Sequence, residues 1–421
     1  MKTIIAENEL NGLSVEEVID TLSKSLQGRT LKKVLLVPPD ITRLNSGAGF
    51  ITSIYYDLMK DIHVDILPAL GTHVPMTRDE QISFFGESIP EERFLIHKWR
   101  DGVTKIGEIP GEFVCDVSDG LMSEAMDVEV SNYLLDESYD LILSIGQVVP
   151  HEVVGMANYT KNIVIGCGGS KFINQSHMLG AFYGMERIMG KDHSPVRKVF
   201  DYAEEHFISK LPIEYVLTVT VSEGDQTDII GLYIGKSREG FSRAVELSQK
   251  HNLNHMDAPI NTCVVWLDER EFRSTWLGNK AIYRTRMAMA DGGRLIILAP
   301  GIEMFGEDVE NDKLIRKYGY IGRENILKLC KTETELQENL SVAAHLIHGS
   351  SDGRFSITYA TPKLKKEEIE EAAFNFMPFD EAIVKYNPSV LKHGYNTLPD
   401  GEVVFYVENP ALGLWALQER F

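Results

Sequence analysis

The sequence predicts an α/β protein built from two α/β domains with largely parallel sheets. Short apolar runs, such as KKVLLV at 32–37, alternate with helical patterns along most of the chain. The chain has 421 residues and 43% hydrophobic content, which exceeds what one core normally holds, since single cores stop growing near roughly 250–300 residues. The stretch HNLNHMDAPIN at 251–261 has the polar composition of a linker between the two predicted domains.

The first predicted domain covers residues 1–255. Ser14 can cap a helix that Gly28 ends, because a serine oxygen accepts from free helix N–H groups and glycine tolerates the left-handed C-terminal position. The remaining predicted elements are strands at 32–37, 63–70, 139–146 and 161–166, a strand pair at 213–222 and 228–235, and helices at 48–60 and 237–252.

The second predicted domain covers residues 261–395. We expect the tail, residues 400–421, to form a strand and a helix that pack back on the first domain. The predicted elements are strands at 262–268, 294–300 and 355–360, and helices at 276–290, 311–318, 322–347 and 365–375.

Composition excludes several classes of protein. A formal charge of −20 opposes binding to nucleic acid. The four cysteines, Cys115, Cys167, Cys263 and Cys330, form no CxxC pair, so a zinc knuckle is not expected. Few cysteines in a long chain, no apolar run of 18 residues and no leader-like N-terminus together predict a cytoplasmic protein without a membrane span.

Polar residues follow three of the predicted strands. Asp40 and Arg43 come after 32–37, and His73 and His151 come after two later strands. Because ligands bind beyond the carboxyl ends of parallel strands, these loops could meet at one edge. Arg43 could bind a carboxylate or phosphate, and the histidines could move protons. The alternative is structural: a loop-bracing Asp–Arg pair and ordinary histidines.

The segment HEVVGMANYTKNIVIGCGGSKFINQSH at 151–177 is mostly apolar in its first half, yet it contains His151, Lys161 and His177. A lysine ammonium is no zinc ligand, and GCGGSK lacks the spacing of a phosphate-binding loop or a dinucleotide fingerprint. Gly168 and Gly169 could still form an anion-binding nest. A nucleophilic lysine and a merely solvated one both remain open.

Together these motifs resemble the nickel-pincer-nucleotide-dependent lactate racemase family. PPDITR at 38–43, GTHVPMT at 71–77 and the spacing of His151, Lys161 and His177 carry the resemblance, and 278–301 matches more loosely. The resemblance covers nearly the whole chain. It implies an isomerase that inverts the hydroxyl-bearing carbon of a 2-hydroxy acid, with its active site in the cleft between the domains.

The resemblance also implies a cofactor, a nickel-pincer nucleotide of the pyridinium-3,5-bisthiocarboxylic acid mononucleotide type that carries Ni. Lys161 would be its covalent tether and His177 the protein ligand of the metal. The enzymes that make the cofactor would be partners. Further cofactor contacts are expected from Asp40, Arg43, Gly168 and Gly169, and the two catalytic histidines would be His73 and His151.

The chain departs from the lactate pattern where the substrate should bind. On the helix aligned through Tyr283, the family's glutamine and lysine become Arg284 and Met287, and its late tryptophan has no evident match. With Arg43, Tyr283, Arg284 and Arg354 as substrate contacts, we predict a sugar acid such as gluconate, or malate, rather than lactate. The alternatives are lactate racemase proper, a nicotinamide-dependent sugar-acid dehydrogenase, and a non-catalytic sugar-acid sensor.

Overall fold

The computed structural model describes residues 3–223, 226–411 and 413–421. The chain divides into two compact units, described separately below. Unit 1 comprises the residues up to Tyr183 together with Ile188–Asn252, and unit 2 comprises Gly184–Arg187 together with Leu253–Phe421. The chain passes from unit 1 to unit 2 between Asn252 and Leu253, and the short segment Gly184–Arg187 inside the unit 1 sequence belongs to unit 2.

Unit 1 alternates strands and helices in its first part and ends on a strand hairpin and a helix. Its strands are β1 (Ile4–Glu7), β2 (Lys33–Val37), β3 (His63–Ile66), β4 (Val103–Ile109), β5 (Met126–Ser131), β6 (Leu141–Gln147), β7 (Pro150–His151), β8 (Gly155–Met156), β9 (Ile213–Glu223) and β10 (Gln226–Gly235). Its helices are α1 (Val15–Leu26), α2 (Ala48–Leu58), α3 (Arg78–Phe85), α4 (Gly111–Val117), α5 (Ser170–Tyr183), α6 (Pro195–His206) and α7 (Arg238–Asn252).

The main sheet of unit 1 has the order β1-β10-β9-β6-β2-β3. Its four strands β9, β6, β2 and β3 are mutually parallel, and β10 and β1 extend it in antiparallel fashion. Two apolar clusters cover the faces of this sheet. This confirms a largely parallel sheet, and it makes β2 an interior strand whose carboxyl end lies between those of β6 and β3.

The helix predicted at 14–28 is confirmed with its cap. Ser14 accepts from the Glu17 amide, and the Glu17 carboxylate accepts from the Ser14 amide, so both ends of this capping box are satisfied. The predicted strand at 161–166 is wrong, because Asn162–Gly166 forms a short π-helix. A short buried apolar run cannot be assigned by periodicity alone, and β2 and β6 are already paired on both sides.

Unit 2 is a second α/β unit. Its strands are β11 (Leu253–Met256), β12 (Ile260–Trp266), β13 (Met289–Leu298), β14 (Ser356–Ala360), β15 (Asn375–Phe376), β16 (Gly394–Thr397), β17 (Val403–Val407) and β18 (Leu414–Leu417). Its helices are α8 (Thr275–Gly278), α9 (Lys280–Thr285), α10 (Val309–Tyr318), α11 (Arg323–Leu329), α12 (Thr334–Glu338), α13 (Leu340–His348), α14 (Lys366–Glu371) and α15 (Phe379–Lys385).

The sheet of unit 2 has the order β15-β14-β13-β12-β17-β16 and is parallel except at β16. The tail belongs to this unit, since β17 pairs with β12 and β18 pairs with β11. The expectation that the tail packs on the first domain is therefore corrected, and its predicted helix is a strand followed by a single 3₁₀ turn, Gln418–Arg420.

Two helix predictions in unit 2 are also corrected. The helix expected at 276–290 stops at Thr285, because Met289 already pairs with Ile260 and begins β13. The helix expected at 322–347 is three shorter helices, α11, α12 and α13. No helix in the described residues is both long and apolar enough to span a bilayer.

Candidate functional site

The candidate site of unit 1 lies where the adjacent strands β6, β2 and β3 end. Asp40 follows β2, His73 follows β3, and His151 follows β6 in the short strand β7. A bridge between Pro39 and Ala69 keeps the first two loops side by side beyond their strands. The edge predicted from the sequence is thus the edge at which these loops leave the sheet.

Asp40 and His73 form a hydrogen-bonded pair. The Nδ1 atom of His73 lies 2.6 Å from Oδ2 of Asp40, while Oδ1 of Asp40 accepts from the backbone and hydroxyl of Thr42. Burial alone would raise the pKa of Asp40, but His73, Arg43 and Thr42 outweigh it and lower the pKa to about 2. The carboxylate is therefore charged at neutral pH, and it holds the proton of His73 on Nδ1.

Arg43 lies on the same loop and is only partly buried. Within the described chain its Nη1 donates to the carbonyl and hydroxyl oxygens of Thr42. Nε and Nη2 form the other edge of the planar fork, which suits a bidentate carboxylate. The predicted contact between Arg43 and a substrate carboxylate is thus chemically feasible and stays a prediction.

His151 is 7% exposed and differs from His73 in its contacts. Its Nδ1 accepts from the backbone N–H of Val153 at 3.1 Å, and its Nε2 lies 3.7 Å from Oε1 of Glu152. The hairpin of β7 and β8 pairs His151 with Gly155 and so orients this ring.

Lys161 immediately precedes the π-helix Asn162–Gly166. Asn162 donates to the Val37 carbonyl and to the Ser144 hydroxyl, both at 3.0 Å, and so fixes this helix to the end of β2 and the middle of β6. Burial first, and then the charge of Arg43, lower the pKa of Lys161 to about 7 against the opposing effect of Glu152. A substantial fraction of this amine is therefore neutral, and nucleophilic, near neutral pH.

The chain is strained just before Lys161. Asn158 and Tyr159 have φ values of 65° and 58°, a conformation that costs non-glycine residues about 1–3 kcal/mol each. The fully buried Arg197 donates to the carbonyls of Met156 and Asn158 at 2.7 and 3.2 Å. The ring of Tyr159 packs on Tyr215 and Phe241. These contacts hold the bend that presents Lys161.

His177 lies on α5 and is partly buried. Its Nδ1 is 2.7 Å from the Ile173 carbonyl, which accepts and so leaves the lone pair on Nε2. Burial lowers the pKa of His177 to about 4, with a contribution from the charge of Lys161, so the ring is neutral at pH 7. A neutral imidazole whose second nitrogen donates to a carbonyl is the usual arrangement of a metal-ligating histidine.

Gly168 and Gly169 are required by close packing within the chain. A Cβ at Gly168 would lie 1.8 Å from the Val164 carbonyl, and one at Gly169 would lie 2.1 Å from the Glu129 carboxylate. The Gly168 carbonyl also accepts from buried His97 at 3.0 Å. These contacts explain both glycines without a ligand, and their contact with a cofactor stays a prediction.

In unit 2, Tyr283 belongs to a buried polar network. Its hydroxyl lies 3.0 Å from Nδ1 of His345, and Nε2 of His345 lies 2.8 Å from the Tyr320 hydroxyl, which bonds Thr275. Trp276 stacks on the His345 ring at 4.2 Å. Both nitrogens of His345 are thus engaged, and the ring orients the hydroxyl of Tyr283.

The two predicted arginines of unit 2 have different surroundings. Arg284 is buried and donates to the Gly413 carbonyl at 3.3 Å. Arg354 binds Glu186 at 2.7 Å and Asp291 at 3.1 Å, and Glu186 also accepts from Arg286 at 3.0 Å. These contacts give Arg354 a structural role, while its contact with a substrate stays a prediction.

Sequence reasoning missed three residues of unit 1 that organise the site. Glu152 lies beside His151 and interacts electrostatically with both Lys161 and His177. Asn162 could have been found from the sequence, since it follows Lys161 directly. Arg197 had none, because only the folded chain brings α6 to the bend before Lys161.

Among the described residues, no group of three or more His, Cys, Asp or Glu side chains could by itself hold a metal ion. A metal at His177 therefore needs most of its donors from another molecule. The donor set fits a nickel-pincer nucleotide in this respect, because such a group brings its own metal-binding atoms. His177 has a lone pair available for the metal, and Lys161 has the amine for a covalent bond.

Comparison with known proteins identifies the first domain. Residues 5–189 match the family model of the lactate racemase N-terminal domain. A crystal structure of a Thermotoga maritima protein matches 98% of this chain and 100% of its own, with a TM-score of 0.82 and 25% sequence identity. No curated protein sequence matches the chain.

A second solved structure, the lactate racemase apoprotein from Thermoanaerobacterium thermosaccharolyticum, covers 94% of this chain and 92% of its own. Its TM-score is 0.66 and its identity 15%, so this likeness concerns the fold alone. The two α/β units with largely parallel sheets agree with it. Residues 5–189 of this chain are therefore similar to the N-terminal domain of the lactate racemase family.

Proposed function

We propose that this protein is a racemase or epimerase that inverts carbon 2 of a 2-hydroxy acid with the help of a tethered nickel-pincer nucleotide. The observation that carries the proposal is the arrangement in unit 1. The Asp40 carboxylate is charged and hydrogen-bonded to His73, and it interacts electrostatically with Arg43 and with Lys161, an amine of lowered pKa. Lys161 in turn interacts with the neutral imidazole of His177.

The chemistry of the reaction explains why a general base and a tethered cofactor are both useful. The hydrogen on carbon 2 is very weakly acidic, so direct removal as a proton is difficult. The bound cofactor would supply a hydride acceptor, which allows carbon 2 to become a flat 2-oxo centre and to regain hydrogen on its other face. The protein would contribute binding, orientation and proton transfer.

Each residue then has a distinct role. Arg43 binds the substrate carboxylate through its open edge, and His73 takes the hydroxyl proton on Nε2, since its Nδ1 is held by Asp40. His151 is the second group that contacts the reacting hydroxyl. Lys161 would hold the cofactor through a thioamide, and His177 would be the protein ligand of its metal through Nε2.

For the substrate we propose a sugar acid such as gluconate, with malate second and lactate third. Support comes from the replacement of the family's glutamine and lysine by Arg284 and Met287, which changes the polar contacts available to a substrate. Hydrogen-bonding sites discriminate hydroxyl groups far more strongly than apolar ones do.

The function is tested with protein produced together with the cofactor-biosynthesis enzymes. Single stereoisomers of gluconate, malate and lactate are incubated with it, and chiral chromatography follows inversion at carbon 2. We expect gluconate to be inverted fastest. Fully loaded protein that inverts none of the three acids would contradict the proposal, and oxidation dependent on a nicotinamide cofactor would favour the dehydrogenase alternative instead.

The metal role of His177 gives a separate prediction. His177→Ala should lower nickel per chain in the purified loaded protein, because the remaining described residues offer no metal cluster of their own. His206→Ala is the matched control, because His206 is an exposed histidine at the end of α6. This variant should keep its nickel. Metal analysis by mass spectrometry decides the point, and full nickel retention in His177→Ala would refute ligation by this residue.

A further inference from the structure

The side chain of Arg197 is fully buried and ends at the strained bend that precedes Lys161. Its Nη2 donates to the carbonyls of Met156 and Asn158 at 2.7 and 3.2 Å. Asn158 and Tyr159 then adopt positive φ, and Lys161 follows two residues later. A guanidinium is planar and its donors point in fixed directions, so its contacts with two carbonyls set the direction in which the chain enters the bend.

The first turn of α6 contacts this part of the chain at a third carbonyl. Ser194, the N-cap of α6, donates to the Val154 carbonyl at 2.8 Å and accepts from the Arg197 amide at 2.9 Å. With the carbonyls of Met156 and Asn158, every second carbonyl from 154 to 158 is thus bonded to α6. The path of the chain toward the bend is therefore determined by one helix turn.

The hydrogen bonds of Arg197 do not explain its charge. Among the described residues, its Nε and Nη1 atoms have no hydrogen-bond partner. The Asp201 carboxylate lies 4.0 Å from Nη1, and it is bonded to Arg238 at 2.9 Å. A charge without a close partner is costly to bury, and a neutral donor could bond the same carbonyls. The fold alone therefore does not require a cation at this position.

We infer that Arg197 is the positioning residue of Lys161, and that it directs the Lys161 amine by holding the left-handed bend at Asn158 and Tyr159. Where the inference concerns attachment of the cofactor, it rests on the proposed function. The placement of the amine does not, because it follows from contacts within the protein.

A shared aromatic ring connects the guanidinium with the bend. The Tyr159 ring stacks on Phe241 with centroids 5.1 Å apart, and the Arg197 guanidinium lies 4.5 Å from the centre of the same Phe241 ring. Tyr159 also packs on Tyr215 at 4.3 Å. Loss of the guanidinium is therefore transmitted to the bend through the packing as well as through the carbonyls.

The charge of Arg197 acts on the same amine. Burial is the largest cause of the lowered pKa of Lys161, and the charge of Arg43 is the next. Arg197 contributes in the same direction, while Glu152 and Asp40 oppose it. A neutral amine is the nucleophilic form, so the position and the charge of Arg197 both favour attack by Lys161 on an acyl carbon.

Competitive acetylation of the apoprotein tests the placement of the amine. Acetic anhydride is applied between about pH 6 and pH 10, and peptide mass spectrometry compares the partly accessible Lys161 with the exposed Lys171. In Arg197→Met we expect the midpoint of the Lys161 profile to move to higher pH. Its relative labelling at pH 7 should fall about fivefold, as a midpoint higher by about one pH unit gives. A wild-type profile in this variant would overturn the inference.

Arg238→Met is the matched control. Arg238 lies 5.5 Å from the same Phe241 ring and binds Asp201 and Asp192 at 2.9 and 3.1 Å, but it bonds no carbonyl of the bend. Its Lys161 profile should match that of the wild type. An equal change in both arginine variants would show that the effect comes from a loosened core, and the inference would then be wrong.

Asn158→Gly tests the bend itself. Glycine adopts positive φ without strain, so the bend should persist better when Arg197 is absent. Added to Arg197→Met, this change should restore part of the Lys161 labelling at pH 7, and no recovery would count against a role through the bend. If thermal unfolding shows that Arg197→Met does not fold, Arg197→Gln replaces it under the same criteria, since its amide is a neutral donor.

Loading of the cofactor tests the role of Arg197 in the proposed function. Intact mass gives the adduct fraction over time in protein produced with the cofactor-biosynthesis enzymes. Arg197→Met should form the adduct about 10–10²-fold more slowly, because a misplacement of about 1 Å can cost about 10²-fold in rate.

The two proposals can fail independently. A wild type that forms no adduct would contradict the proposed function, while acetylation of the apoprotein still decides the placement of the amine. If the wild type and Arg197→Met form the adduct equally fast, the proposed function stands and the inference fails.

Discussion

Lys161→Ala is expected to abolish both the covalent adduct and all turnover. Burial, and then the charge of Arg43, lower the pKa of Lys161 to about 7, so its neutral amine can attack an acyl carbon under conditions in which an ordinary lysine is protonated. Intact-mass analysis of protein produced with the cofactor-biosynthesis enzymes shows the adduct directly. Lys171→Ala is the matched control, because Lys171 is exposed and forms an ion pair with Asp127 at 3.3 Å.

The control variant should keep the adduct and the activity. An adduct of unchanged mass on Lys161→Ala would place the tether elsewhere. The apoprotein provides a second readout through Lys161→Met. The folded pKa of Lys161 lies below the unfolded value, so wild-type stability rises as pH increases from about 7 toward 10.5. The advantage of Lys161→Met in thermal unfolding should therefore be largest below pH 7 and shrink as pH rises through this window.

Asp40→Asn is expected to lower kcat by about 10²–10⁴, the usual contribution of a general base. The charged carboxylate holds the proton of His73 on Nδ1 at 2.6 Å and stabilises the protonated ring. An amide loses the charge, and its NH₂ group can donate to Nδ1 and so favour the wrong tautomer. The adduct on Lys161 should remain, which intact-mass analysis checks before rates are compared.

Asp65→Asn is the matched control, since Asp65 also pairs with a histidine, His63, at 2.8 Å and lies on β3, the strand that leads to His73. It should change stability but leave turnover per loaded chain close to that of the wild type. Normal turnover by Asp40→Asn would refute the proposed role of the Asp40–His73 pair. The lowered pKa of Asp40 also contributes stability that is present above pH 4 and is lost as pH falls through about 2.

Local signals in the sequence were enough to predict several elements. Ser14 and Gly28 indicated α1, and the alternation of apolar runs with helices indicated parallel sheets, because these patterns depend on near neighbours in the chain. The same kind of signal failed at Asn162–Gly166 and at Met289. At each place the outcome depended on which strand pairing was available, and that is set by residues far away in the sequence.

For the candidate site, the sequence indicated which residue types follow the strands but not their partners. The sequence allowed Asp40 and Arg43 to be a pair that braces the loop. In the fold, Asp40 instead hydrogen-bonds with His73, 33 residues away. Arg354 was expected at a substrate, whereas the fold surrounds it with Glu186 and Asp291. Ion pairs of this kind form between elements that only the folded chain brings together.

The sequence by itself determined the fold class, the chemistry-bearing residues and, through their spacing, the resemblance to the lactate racemase family. Only the tertiary structure decided the protonation of those residues, because a pKa depends on burial and on neighbouring charges. The neutral ring of His177, the lowered pKa of Lys161 and the charged carboxylate of Asp40 all arise in this way. They depend on how the folded chain buries these side chains and on the charges it places beside them, and no single segment of the sequence specifies either.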